Sequence, residues 1–143
     1  MHRVMVDTNV LIDLVSSGRP AHEDAVGAVR ALLAADGFDG CVLSSSLKDV
    51  YYAYCRHYGD EPAARGAIRE LRRMFALVNL TAEIVDDALG SDERDFEDGL
   101  LRAAAELSGC DYLLTRDAPG FHSAKFKKVD APGLLGILSR ARG

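Results

Sequence analysis

The chain has little cysteine and no arrangement of it that suggests a framework. Cys41, Cys55 and Cys110 are an odd number with no CxxC spacing, which argues against both a disulfide scaffold and a structural zinc site. Cys41 and Cys110 lie beside apolar segments and read as buried free thiols. Four histidines, His2, His22, His57 and His122, are scattered without metal-ligand spacing. No apolar run approaches the ~20 residues that span a bilayer. The first apolar segment is broken by Asp7 and Asn9, unlike a signal peptide, so the expected location is cytoplasmic. An excess of positive charge is also missing. The formal net charge is −5, opposite to a nonspecific nucleic-acid binder, although an enzyme that gathers acids around a metal would be acidic for that reason alone.

Within 143 residues, 48% of them hydrophobic and 27% charged, the composition is that of one ordinary globular domain spanning 1–143. There is no internal repeat or low-complexity run. Short apolar segments at Val4–Val6, Cys41–Leu43, Leu77–Leu80 and Tyr112–Leu114 read as strands, with a weaker one near Lys128–Val129. Between them, helical patterns run over Val10–Ser17, Ala21–Ala35, Leu47–His57, Pro62–Phe75, Thr81–Leu89, Phe96–Leu107 and Pro132–Ser139, and a turn is expected at Ala118–Gly120. Strands buried on both faces and alternating with such helices indicate an α/β layered fold with a parallel sheet.

The acids follow that pattern. Asp7 comes directly after the first strand, Asp117 shortly after Tyr112–Leu114, and Asp49 one turn into the helix after Cys41–Leu43. Right-handed crossovers bring successive parallel strands out at one edge. Asp95 and Asp98 open the helix that returns to Tyr112–Leu114, so they reach the same edge. Phe96, Leu100 and Ala104 mark its expected core side. Acids crowded together repel unless a cation neutralises them, and an all-oxygen donor set suits Mg²⁺ or Mn²⁺. The chemistry expected is phosphodiester hydrolysis. Local explanations stand beside this one. Ser46 and Asp49 have capping-box spacing, the acids at 95–98 favour a helix dipole, Asp98 suits a pair with Arg102, and Asp117 suits a turn. None of these explains why all the acids fall at one edge. A dehalogenase-type phosphatase needs an acid where Asn9 stands, and a receiver domain needs a lysine near Thr115–Asp117.

Asp7-Thr8-Asn9, an acid on the third helix, Asp95-Phe96-Glu97-Asp98 and Thr115-Arg116-Asp117 occur in the order and spacing of a PIN domain, which the chain resembles over essentially its whole length. The resemblance implies a flavodoxin-like three-layer sandwich with a parallel sheet of four to five strands. It also implies a Mg²⁺- or Mn²⁺-dependent endoribonuclease of the VapC type, commonly a homodimer, with a cognate antitoxin. By that resemblance Asp7, Asp98 and Asp117 match metal-binding acids, Asp95 an additional one, and Asn9 and Thr115 supporting polar positions. Asp49 stands where the family most often has Glu, one methylene longer. The alternative is a catalytically weak scaffold that binds RNA or protein. Arg116, Lys125 and Lys127 are the expected RNA contacts. Arg69, Arg72 and Arg73 read as a solvated face, and Tyr51, Tyr52 and Tyr54 either as stacking platforms for bases or as core or dimer interface.

Overall fold

The computed structural model describes residues 1–117 and 119–142. They form β1 (His2–Val6), α1 (Thr8–Val15), α2 (His22–Ala34), β2 (Phe38–Leu43), α3 (Ser44–Tyr58), α4 (Glu61–Met74), β3 (Ala76–Val78), α5 (Ala82–Leu89), α6 (Phe96–Leu107), β4 (Tyr112–Leu114), β5 (Lys127–Val129) and α7 (Ala131–Arg142). The expected turn at Ala118–Gly120 includes Ala118, which lies outside the described residues.

All four strand pairings are parallel, and the order is β3-β2-β1-β4-β5. The chain steps outward from β1 through β2 to β3, then crosses back to lay β4 on the other side of β1. Because the crossover hand is fixed, reversing direction moves the connecting helices to the opposite face. Val4 and Val6 therefore pack with α1, α2, α7, Val50 of α3 and Leu71 of α4. Met5 points the other way, toward Ile84 of α5 and Leu101 and Ala104 of α6. Val4, Met5 and Val6 are all fully buried, each contributing roughly 1.5–3 kcal/mol of hydrophobic burial. This explains an apolar run with no alternation.

The expected strands are all present, with β2 starting earlier than the apolar run suggests. Cys41 and Cys110 are buried free thiols with their sulfurs 3.7 Å apart. Two readings of the helices need correction. The turn expected to cap α3 does not use Ser46: the helix begins at Ser44 with Leu43 at its N-cap, and the Ser46 hydroxyl accepts a hydrogen bond from Thr8 Oγ1 at 2.8 Å. In α6 the buried residues are Asp98, Gly99, Leu101 and Ala103–Ala105, while Phe96, expected in the core, is 47% exposed. The cause is Gly99. A Cβ there would lie 3.1 Å from the Ala88 carbonyl oxygen, so α5 approaches α6 over a residue without a side chain. The inward face is rotated accordingly.

Candidate functional site

The topological switch point lies between β1 and β4, where parallel sheets open a crevice at the strands' carboxyl ends. Asp7 leaves β1 there, its backbone N–H donating to the Leu114 carbonyl at 2.9 Å. Thr115 leaves β4 beside it. Its hydroxyl donates to Asp7 Oδ2 at 2.6 Å and accepts the Asp117 N–H at 3.1 Å. One hydroxyl thus ties the carboxylate after β1 to the backbone of the acid after β4. Thr8 and Ser46 make the corresponding link between the ends of β1 and β2.

A crevice of about 260 Å³ opens over these groups, lined by Asp7, Asn9, Asp49, Asp95, Asp98 and Asp117 among others. The structure brings these residues together in one crevice, while Thr115 lies behind Asp7 rather than on its wall. Asn9 Oδ1 faces the Arg116 N–H at 3.5 Å. Asp95 is the N-cap of α6, accepting the Asp98 N–H at 2.8 Å, and it lines the crevice as well. Asp98 is 8% exposed.

Two lining residues were not singled out from the sequence. Glu97 brings a sixth carboxylate to the wall. Arg94 inserts a guanidinium, donating from Nε to Asp98 Oδ2 and from Nη2 to Asp117 Oδ2, each at 2.7 Å. The pair considered between Asp98 and Arg102 is not formed. Arg102 instead contacts Glu93 at 2.6 Å and Glu106 at 3.4 Å.

Crowding and burial shift the acids as expected for such a site. Burial lifts Asp7 to about 6, and the charges of Asp117 and Asp98 push the same way. The Thr115 hydroxyl and the Thr8 N–H oppose the rise. Asp98 is also raised by burial, with Arg94 pulling against it. Glu97 is raised by burial and by the charges of Asp49, Asp95 and Asp98. The donor set is carboxylate, amide and hydroxyl oxygen without thiol or imidazole, which fits a hard divalent cation.

A second hollow of about 500 Å³ adjoins the first, sharing Asp117 and lined also by Thr115, Arg116, Lys127, Lys128 and Arg140. Of the expected RNA contacts, Lys127 lies in it and Lys125 does not. The Lys125 N–H donates to Glu106 at 2.9 Å. Arg116 lines this hollow, but its guanidinium is bonded to Asp13. Asp13 lies outside the crevice, with its side chain only 2% exposed, and is also paired with Arg19 at 2.7 Å. It ties the segment after β4 to α1. Tyr51 spends its hydroxyl on Glu61 at 2.5 Å, joining α3 to α4.

A doubly wound sheet with a carboxylate-lined crevice at its switch point defines an α/β protein whose site is built at its strand ends. The family model for the PIN domain matches residues 3–118, and the chain belongs to that family. It is 30% identical over 120 residues to ribonuclease VapC1 of Aquifex aeolicus (strain VF5), covering 80% of this chain and 81% of that one. The fold is shared with VapBC2 from Rickettsia felis, solved bound to a DNA fragment from their promoter. The TM-score is 0.70, with 10% identity over 90% of this chain and 98% of that one. It is shared too with a toxin–antitoxin complex from Klebsiella pneumoniae, with a TM-score of 0.63 and 24% identity over 84% of this chain and 91% of that one. Among the described residues no helix is long and apolar enough to cross a membrane.

Proposed function

We propose that this protein is a Mg²⁺- or Mn²⁺-dependent endoribonuclease, the toxin of a VapBC-type pair, acting as a homodimer and held in check by a cognate antitoxin. The observation that carries this reading is the crevice itself. Six carboxylates meet at one strand edge in a member of the PIN-domain family. Asp7, Asp98 and Asp117 would hold the ion, with Asp95 reaching it from the start of α6. When bound, such an ion supplies an activated water and neutralises charge developing on the phosphodiester.

The chain's own side chains do the rest. Thr115 fixes the rotamer of Asp7 by donating to Oδ2. Asn9 holds the backbone of Arg116 near the mouth. Burial, and after it the charge of Asp49, raises the proton affinity of Glu97 at the crevice wall. Asp49, one methylene shorter than glutamate, lines the same crevice and would address a bound ion through water. Lys127 and Arg140, in the hollow that shares Asp117, offer positive charge to an RNA backbone leaving the acids.

The test is incubation of the purified chain, free of any partner, with structured RNAs and Mg²⁺ or Mn²⁺. Endonucleolytic products that vanish in EDTA and in Asp7→Asn are expected. No cleavage, or cleavage indifferent to both, overturns the reading.

A further inference from the structure

Arg94 lies in the segment between α5 and α6, and its main chain is fastened on both sides. Before it, the Glu93 carboxylate, 4% exposed, accepts Arg102 Nη1 at 2.6 Å and the Phe121 N–H at 2.8 Å. After it, Asp95 caps α6. The Arg94 side chain itself is 46% exposed and donates to two carboxylates, Asp98 and Asp117. A fixed backbone thus carries a movable cation. Its two bonds use Asp98 Oδ2 and Asp117 Oδ2, from two of the three acids assigned above to the metal. Among the described residues, no three acids, histidines or cysteines converge as tightly as a metal shell requires. The guanidinium stands between two that would have to draw together.

We infer that Arg94 is a built-in counter-ion of the metal site. It pairs Asp98 with Asp117 while no divalent cation is present and withdraws when one binds. This rests on the metal-dependent reading above. Two carboxylates facing one crevice repel, and the planar guanidinium fork can satisfy both at once. A dication and the guanidinium compete for the same lone pairs. Binding must therefore break two charge-assisted hydrogen bonds, and Arg94 weakens the intrinsic metal affinity of the site.

Calorimetric titration of Mn²⁺ into the full-length, EDTA-treated protein tests this. Arg94→Ala is expected to bind Mn²⁺ about tenfold more tightly than the wild type, or about 1.4 kcal/mol. Arg94→Lys separates competition from simple charge. Lysine keeps the charge but cannot span both acids, so its Mn²⁺ affinity should fall near that of the alanine variant. In the wild type, the ¹⁵N–¹H resonance of Arg94 Nε should move as Mg²⁺ is added, a readout that requires no variant to fold. An alanine variant with equal or weaker affinity, a lysine variant equal to the wild type, or an unmoved Nε resonance at saturating Mg²⁺ overturns the role of Arg94. In each of those cases Mn²⁺ or Mg²⁺ still binds, so the metal-dependent reading stands. If no form takes up either ion, both fall.

Discussion

Replacing Asp7 with asparagine should stabilise the metal-free protein above pH 6 while removing its response to metal. The Asp7 side chain is buried where β1 ends, 7% exposed, and its hydrogen-bond partners, the Thr115 hydroxyl and the Thr8 N–H, are neutral. Burial moves its titration from 3.8 to about 6. In the unfolded chain the group ionises from about pH 4. In the folded chain it keeps its proton until about pH 6. Across that window the native state holds the extra proton, so stability falls as pH rises, and above the window the deficit is constant. At 1.36 kcal/mol per pH unit this amounts to about 3 kcal/mol at pH 8. Asparagine is neutral and of the same shape. Its carbonyl can accept the Thr115 hydroxyl as Asp7 Oδ2 does. Without metal the variant should therefore melt higher than the wild type at pH 8, on the order of 5–10 °C, and the two should converge near pH 4. Circular dichroism melts in EDTA at pH 4.5, 6 and 8 measure this. With saturating Mn²⁺ the order should narrow or reverse, since only the wild type retains the full ligand set. A gap that does not depend on pH, or a variant less stable at pH 8, would refute the account of a buried and inadequately compensated charge.

Thr115→Val removes the hydroxyl that Asp7 accepts while preserving shape. It should cost about 1–3 kcal/mol, more at pH 8 than at pH 5 because the proton affinity of Asp7 rises further, as denaturant midpoints at the two pH values will show. Asp98→Asn removes a charge from the proposed metal site but keeps a hydrogen-bond acceptor for Arg94. RNA cleavage should be abolished while the variant stays folded by circular dichroism, and an unfolded variant would instead make Asp98 structural. Arg116→Ala strips one of two guanidinium partners from the buried Asp13. Its unfolding free energy, read from denaturant midpoints, should drop by less than the roughly 3–5 kcal/mol of a wholly unpaired buried charge because Arg19 remains. Its RNA affinity should keep the wild-type salt dependence, whereas Lys127→Ala should lower the salt slope by about one.

The fold was legible where burial is symmetrical. Val4–Val6 and Tyr112–Leu114 are apolar on both faces because helices cover both, and a continuous run followed by an acid or a threonine marks both the strand and its exit. That Asp7, Asp98 and Asp117 line one crevice accords with the hand of the crossovers and needs no contact information. What the sequence could not reveal depends on contacts between distant segments. Arg94 and Arg102 each lie four residues from Asp98, and spacing cannot choose between them. The choice is made by Glu93, buried against the Phe121 N–H of a segment 28 residues away, which draws Arg102 aside and leaves Arg94 facing the acids. Arg116 looked free for RNA because its partner, Asp13, is 103 positions distant.

Periodicity fails in α6 for a related reason. It ranks residues by how apolar their side chains are, and Gly99 has none. Yet at Gly99 the backbone of α6 lies against Ala88 of α5, with room for a Cβ only 3.1 Å from the Ala88 carbonyl oxygen, so this residue rather than Phe96 faces inward. Asp98 precedes it and is carried inside with it, which is how a carboxylate comes to be both buried and open to the crevice. An alanine at 99 would require Ala88 of α5 to give by a few tenths of an ångström. The reach of the acid cluster is thus set in part by the residue that contributes no chemistry to it.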